Sequence, residues 1–171
     1  MATTPTFALP ATFLGTACTD PASRFQVAGI PFDIGVTNRA GARQGPAAIR
    51  AASRMLVDGD NPATWRDPAQ AGIADIGNFA LALGDIAASL ELIEAQAAAC
   101  SHLIALGGDH TIALPLLRAL RKKVGHPLAL VHFDAHVDTW PDNFGAVIAH
   151  GSVFYHAITE GLVDPKRMVQ I

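Results

Sequence analysis

Short, almost wholly apolar runs recur along this chain, each bounded by Gly, Pro or polar residues, with amphipathic stretches between them. Residues 26–30, 72–76, 102–106 and 127–133 read as strands, and 167–171 as the start of a fifth. Near-continuous apolar runs of this length, rather than alternating ones, mark strands buried on both faces of a parallel sheet. Helical signals fall between them. Pro46 sits at a first helical position, followed by Ile49, Ser53 and Leu56. Asp85 can cap a helix whose stripe is Ile86, Leu90, Ile93 and Ala97. Residues 111–123 form a third helix, with Pro115 in its first turn. Arg118, Arg121, Lys122 and Lys123 gather toward its negative end. Residues 1–25, punctuated by Pro5, Pro10 and Pro21, form an irregular arm, and 31–45 and 58–70 are loops. Strands alternating with helices predict an α/β fold: a three-layer α/β/α arrangement around a mostly parallel sheet, in one domain over residues 1–171.

Composition narrows the class. Half of the 171 residues are hydrophobic and 16% are charged, which excludes a disordered chain. A net charge of −3 gives no basic field for nucleic acid or an anionic membrane. Cys18 and Cys100 stand far apart, so no disulfide framework is expected and a reducing cytoplasm fits. Residues 1–10 carry no basic and apolar leader pattern, and no apolar run is long enough to span a bilayer. The expectation is a soluble, cytoplasmic protein.

Two polar clusters carry the chemistry. Gly107, Gly108, Asp109 and His110 follow the third strand, and Asp134, His136 and Asp138 follow the fourth. Open parallel sheets bind ligands beyond the carboxyl ends of their strands, where both clusters lie. If the chain stays extended, Asp134, His136 and Asp138 face one way. Carboxylates so grouped repel one another unless a cation or protons intervene. His110 can add a nitrogen after the glycine turn. Taken alone, an Asp-x-His-x-Asp run can be a solvated loop; two clusters at consecutive strand ends argue against that. Oxygen-rich ligands without Cys favour Mn²⁺, with Zn²⁺, Co²⁺ or Ni²⁺ as alternatives. A shared carboxylate would allow two metals and a bridging water of lowered pKa. His132 reads as structural or as support for a ligand, His102 and His126 lie at the wrong strand ends, and His156 is undecided.

These motifs resemble the first two signatures of the ureohydrolases, the arginase and agmatinase superfamily. Residues 29–35 (Gly-Ile-Pro-Phe-Asp-Ile-Gly), 38–46, 150–155 and 161–165 resemble its agmatinase branch. The resemblance runs from about residue 13 to residue 171, with the motifs in order. It implies an arginase-like fold in which His110 and Asp138 hold one Mn²⁺, His136 a second, and Asp134 bridges both. His150 would be the active-site histidine that moves protons or contacts the guanidinium, and Asp109 would orient a ligand. Asn38 and Arg43 lie in the amino-terminal signature, in a substrate or loop-fixing role. The implied reaction is hydrolysis of a guanidinium group, agmatine giving putrescine and urea, in a homo-oligomer, trimer or hexamer.

The match departs from the family at one point. A Ser-x-Asp-x-Asp-x-x-Asp-Pro motif and a later guanidinium-binding Glu do not occur here. One metal therefore has three ligands and the other two, with Asp134 counted twice. The fold is expected to be incomplete at its carboxyl-terminal side, and the 171-residue chain alone to have little activity. A non-catalytic remnant that associates with other subunits is the competing reading. Residues 139–149 should border the substrate tail; Asp142 there favours a cationic tail, with guanidinobutyrase and other guanidino-acid or amidine hydrolases as alternatives.

Overall fold

Val27, Ala28 and Ile30 are completely buried, because the strand that carries them has a parallel neighbour on each side. The structure is a computed structural model that describes residues 8–56, 60–67 and 71–171. The expected irregular segments 1–25 and 58–70 fall partly outside those residues. Strand β1 (Phe25–Ile30) lies between β2 (Ile73–Asn78) and β3 (His102–Gly107). Helix α1 (Gly45–Ser53) joins β1 to β2, and α2 (Ile86–Ala99) joins β2 to β3. Helix α3 (Ala113–Val124) leads to β4 (Leu128–His132), and α4 (Val153–Thr159) leads to β5 (Val163–Gln170), parallel to β4.

Both faces of the first sheet are covered, as the apolar runs predicted. Ala28 and Ile30 pack with Phe32, Leu90, Ile93 and Ile112 on one face. Val27 and Leu106 pack with Phe13 and Leu14 of the amino-terminal arm on the other. Gln26 is buried without penalty: its amide donates to Pro21 O and accepts from Ser101 N. Asp85 caps α2, accepting from Ala88 N at 3.0 Å. Gly125 closes α3 in the left-handed conformation, φ 80°.

Three local expectations differ from the structure. Hydrogen bonding groups the five strands into a three-stranded sheet, β2-β1-β3, and a separate pair, β4-β5. Strand β5 begins at Val163 rather than near Arg167. Its register against β4 shifts, Leu128 pairing with Val163 but Leu130 with Met168. Asp164 and Pro165 occupy that bulge; they read as turn residues, and Pro165 has no N–H for a ladder. Helix α4 was foreseen only as a motif-bearing stretch, because seven residues are too few to display a period. Its Val153, Phe154 and Ala157 pack against Leu114 of α3 and Val163 of β5. Among the described residues no helix is long and apolar enough to cross a membrane.

Candidate metal centre

The end of β3 is built by close backbone approach. Gly108 has φ 82°, and a Cβ there would stand 2.3 Å from Ile30 O, so only glycine fits. The buried Asp109 carboxylate accepts from Thr111 N at 2.8 Å and from Gly35 N at 3.0 Å. It ties the residue 31–35 loop to the turn that presents His110, and its recorded bonds go to backbone groups rather than to another side chain. The His110 ring stacks on His132, centroids 5.1 Å apart, and meets the edge of Phe154 at 5.4 Å. Helix α4 thus supplies a wall that orients an imidazole from α3's approach.

The Asp134–Asp138 run does not continue β4 as an extended strand. The strand ends at His132, and a bend follows. Asp134 N still donates to Ile171 O at 3.1 Å, and Asp134 Oδ1 accepts from His136 N at 2.9 Å, a local turn that follows this last cross-strand bond. Asp138 has φ 48°, a conformation that Asp tolerates better than most residues, and its carbonyl accepts from Phe154 N at 2.9 Å. Convergence therefore comes from a bend docked on α4, not from alternation. It brings Asp138 Oδ2 to 2.5 Å and Asp134 Oδ2 to 3.8 Å from His110 Nδ1. His136 Nδ1 lies 3.5 Å from Asp134 Oδ1, on an imidazole that is mostly exposed. His132 Nε2 lies 3.4 Å from Asp134 Oδ2.

Asp134 thus faces His110 with one oxygen and His136 with the other, the disposition a bridging carboxylate needs. The amide of His136 holds the Asp134 carboxyl below its ordinary range; partial burial opposes this, and the nearby imidazoles add to it. An ionised oxygen pair flanked by two imidazoles and a second carboxylate fits a divalent cation of the Mn²⁺ or Zn²⁺ kind. The donors of His110, Asp134 and Asp138 would hold one ion, and those of Asp134 and His136 a second.

An open cleft surrounds the cluster, lined also by Asn38, Arg39, Trp140, Asn143, Phe144 and His150. His150 Nε2 lies 3.1 Å from Thr37 Oγ1, which holds the ring against the amino-terminal loop. Arg43 does not line the cleft. Its guanidinium grips Asp33, whose Oδ2 also accepts from Gly41 N at 2.9 Å. Arg43 thus fixes the loop. Asp142 is likewise turned away, accepting from Gly145 N at 3.0 Å at the turn of its own loop. The residues that line the cleft include Arg39 and not Asp142, so Arg39 is the charged group beside the motif carboxylates there. Trp140 and Phe144 fall within the 139–149 segment expected to border the substrate tail, and Arg39 within the 38–46 signature, though none of the three stood out singly because no spacing rule connects residue 39 to residue 140.

The Asp33–Arg43 pair sets a pH dependence. Hydrogen bonds from Arg43, then Gly41, lower the Asp33 carboxyl from 3.8 to about 2. A depressed carboxyl contributes stability above its unfolded pKa and loses it as pH falls through the folded value. Anchorage of the 33–43 loop is therefore expected to be intact above about pH 4 and lost toward pH 2. Carboxyl ¹³C NMR of Asp33 checks this: Arg43→Gln should move the titration up toward the ordinary aspartate range, the Gly41 amide still holding it somewhat low, and an unchanged midpoint would contradict it.

Comparison with known proteins agrees with this architecture. The arginase family model matches residues 23–171. An agmatinase of Chromobacterium violaceum is 44% identical over 151 residues, covering 85% of this chain and 47% of the relative. An agmatinase of Serratia proteamaculans is 41% identical over 160 residues, covering 89% and 51%. The proclavaminate amidino hydrolase of Streptomyces clavuligerus superposes with TM-score 0.88 at 33% identity, over 98% of this chain and 57% of that one. A hypothetical agmatinase from Burkholderia thailandensis gives 0.87 at 38%, over 97% and 54%. The chain spans about half the length of the curated relatives it matches. With its parallel strands, its glycine turn before His110 and its Asp134–Asp138 bend, this chain belongs to the arginase family.

Proposed function

We propose that this chain carries one side of the binuclear Mn²⁺ centre of an agmatinase-type amidinohydrolase, which cleaves agmatine to putrescine and urea. The observation that carries the reading is the convergence of His110, Asp134, His136 and Asp138, with Asp134 facing both imidazoles. The relatives named agmatinase support the substrate. Two bound Mn²⁺ ions would lower the pKa of a bridging water and so supply a nucleophile at neutral pH. His110 and Asp138 would hold one ion and His136 the other, with Asp134 shared between them. Hydrolysis adds the water oxygen to the guanidinium carbon, breaks a C–N bond and needs a proton on the leaving amine. On this reading His150, on the cleft wall with its Nε2 beside Thr37, would deliver that proton. Trp140 and Phe144 offer apolar surface to a methylene chain. The reading includes a small cationic guanidino substrate, a cytoplasmic location, and a homo-oligomer, trimer or hexamer. Neither nucleic acid nor membrane is a partner in it.

A second substrate reading has one observation in its favour. Arg39 lines the cleft while Asp142 does not, so a guanidino acid such as 4-guanidinobutyrate would find a positive group near its carboxylate. Urea release decides between them. Protein expressed from its complete reading frame and loaded with Mn²⁺ is offered agmatine, 4-guanidinobutyrate and arginine at equal concentrations. Preference for agmatine supports the first reading. Preference for a carboxylate-tailed compound defeats it in favour of the second, and no urea from any of them defeats both. The 171-residue chain by itself, with the ligands counted above, is expected to turn over little or nothing. Rapid Mn²⁺-dependent urea release by it would contradict that.

A further inference from the structure

We propose that His132 and Gln170 form a positioning pair for the Asp134 carboxylate, with the Gln170 amide donating to His132 Nδ1 and His132 Nε2 turned toward Asp134. The proposal rests on the metal-centre reading for its consequence, though not for its geometry.

Gln170 of β5 stands directly beside His132 of β4 in the strand pairing. Its Nε2 lies 2.8 Å from the Val137 carbonyl oxygen and 3.1 Å from His132 Nδ1. A carbonyl oxygen can only accept, so the amide face turned to Val137 is the NH₂ group, which fixes the side chain's orientation. That NH₂ cannot accept. Its second hydrogen therefore goes to His132 Nδ1, which must present a lone pair. The ring proton is left on Nε2, the nitrogen 3.4 Å from Asp134 Oδ2. A movement of a few tenths of an ångström closes that separation to a charge-assisted hydrogen bond.

The ring is held for this task. His132 is buried, stacks on His110 at 18° between planes, and receives the edge of Phe154 at 4.5 Å. Donor atoms of His110, His132 and Asp134 lie within 4.8 Å of one another, as in a three-ligand metal cluster. The assigned proton separates their roles. Gln170 occupies His132 Nδ1 and Nε2 faces Asp134, so in this arrangement His132 steadies the carboxylate and leaves cation binding to His110 and Asp134. Gln170 also grips the carbonyl between His136 and Asp138, so one amide ties the strand end to the bend.

Two measurements test the pair. Long-range ¹H–¹⁵N NMR of the metal-free protein should show His132 protonated at Nε2 and bare at Nδ1. Gln170→Glu offers Nδ1 an acceptor instead of a donor and removes the donor to the Val137 carbonyl, so Nδ1 should gain a proton and the tie between the strand end and the bend should be lost. Mn²⁺ affinity, read by electron paramagnetic resonance titration, should then fall about 10- to 100-fold. His132→Phe should weaken it comparably, and the double variant no further. An Nδ1-protonated ring in the unsubstituted protein, or unchanged Mn²⁺ affinity in Gln170→Glu, overturns the proposal. A protein that takes up no Mn²⁺ at all would defeat the metal-centre reading instead, while the tautomer remains readable without metal.

Discussion

Asp134→Asn is expected to weaken Mn²⁺ binding by more than about 100-fold, since loss of a bridging ligand should exceed the 10- to 100-fold typical of a supporting group. The substitution is nearly isosteric. Asn keeps an oxygen for the His136 amide, which Asp134 now engages at 2.9 Å, so the bend should survive. What disappears is the negative charge that faces His110 on one side and His136 on the other. Without it each ion that Asp134 is proposed to share would lose a charged ligand at once, and catalysis would fall with metal occupancy. Adding a chelator to the unsubstituted protein should have the same effect. Asp142→Asn is the control, because Asp142 closes its own loop turn and stands outside the cleft. Isothermal titration with Mn²⁺ reads both variants. Equal affinities in Asp134→Asn and Asp142→Asn would mean that Asp134 is not a ligand.

Arg50→Leu is expected to destabilise the fold by about 3–5 kcal/mol, the range for removing one partner of a buried ion pair. Arg50 on α1 donates to Asp75 Oδ2 at 2.7 Å and Oδ1 at 2.9 Å, to Asn78 Oδ1 at 2.7 Å and to Gly77 O at 2.8 Å. Asp75 also accepts from Phe13 N at 2.7 Å, so this one carboxylate joins the arm, α1 and β2. Leucine would leave it buried without its counter-ion. Burial pushes the Asp75 carboxyl up, but Arg50 and the Phe13 and Gly77 amides outweigh it and hold the carboxyl below its ordinary value. The stabilisation is therefore present above the unfolded aspartate range and fades as pH falls below it. The Arg50→Leu deficit should accordingly shrink in acid. Arg118→Ala, which breaks the pair with the partly exposed Glu160, should lose no more than about 1 kcal/mol. Urea denaturation at neutral pH measures both, and similar losses would contradict the distinction.

The sequence was most readable where local pattern and global environment coincide. The run from Gln26 to Ile30 is apolar because both neighbours of β1 exist, and its burial follows directly. Asp85 and Gly125 mark helix ends through chemistry confined to a few residues. His110, Asp134, His136 and Asp138 stood out because carboxylates and imidazoles at strand ends are electrostatically conspicuous. What could not be read depends on residues distant along the chain. The turn at Asp138 is dictated by its docking against Phe154, and alternation along an extended strand gave the wrong path to the right convergence. Arg43 was open to a substrate or a loop-fixing role, and its pairing with Asp33, ten residues back, shows the second. The link from Gln170 to His132 crosses 38 residues and a parallel strand pairing that contains a bulge. No local spacing encodes it.

The most direct test of the central claim is anomalous diffraction at the manganese edge from crystals of the protein grown with Mn²⁺. The account predicts density between the His110, Asp134 and Asp138 donors, and a weaker second position shared by Asp134 and His136, with His132 ligating neither. A map without metal at this bend, or with the ion coordinated by His132 in place of Asp138, would contradict it.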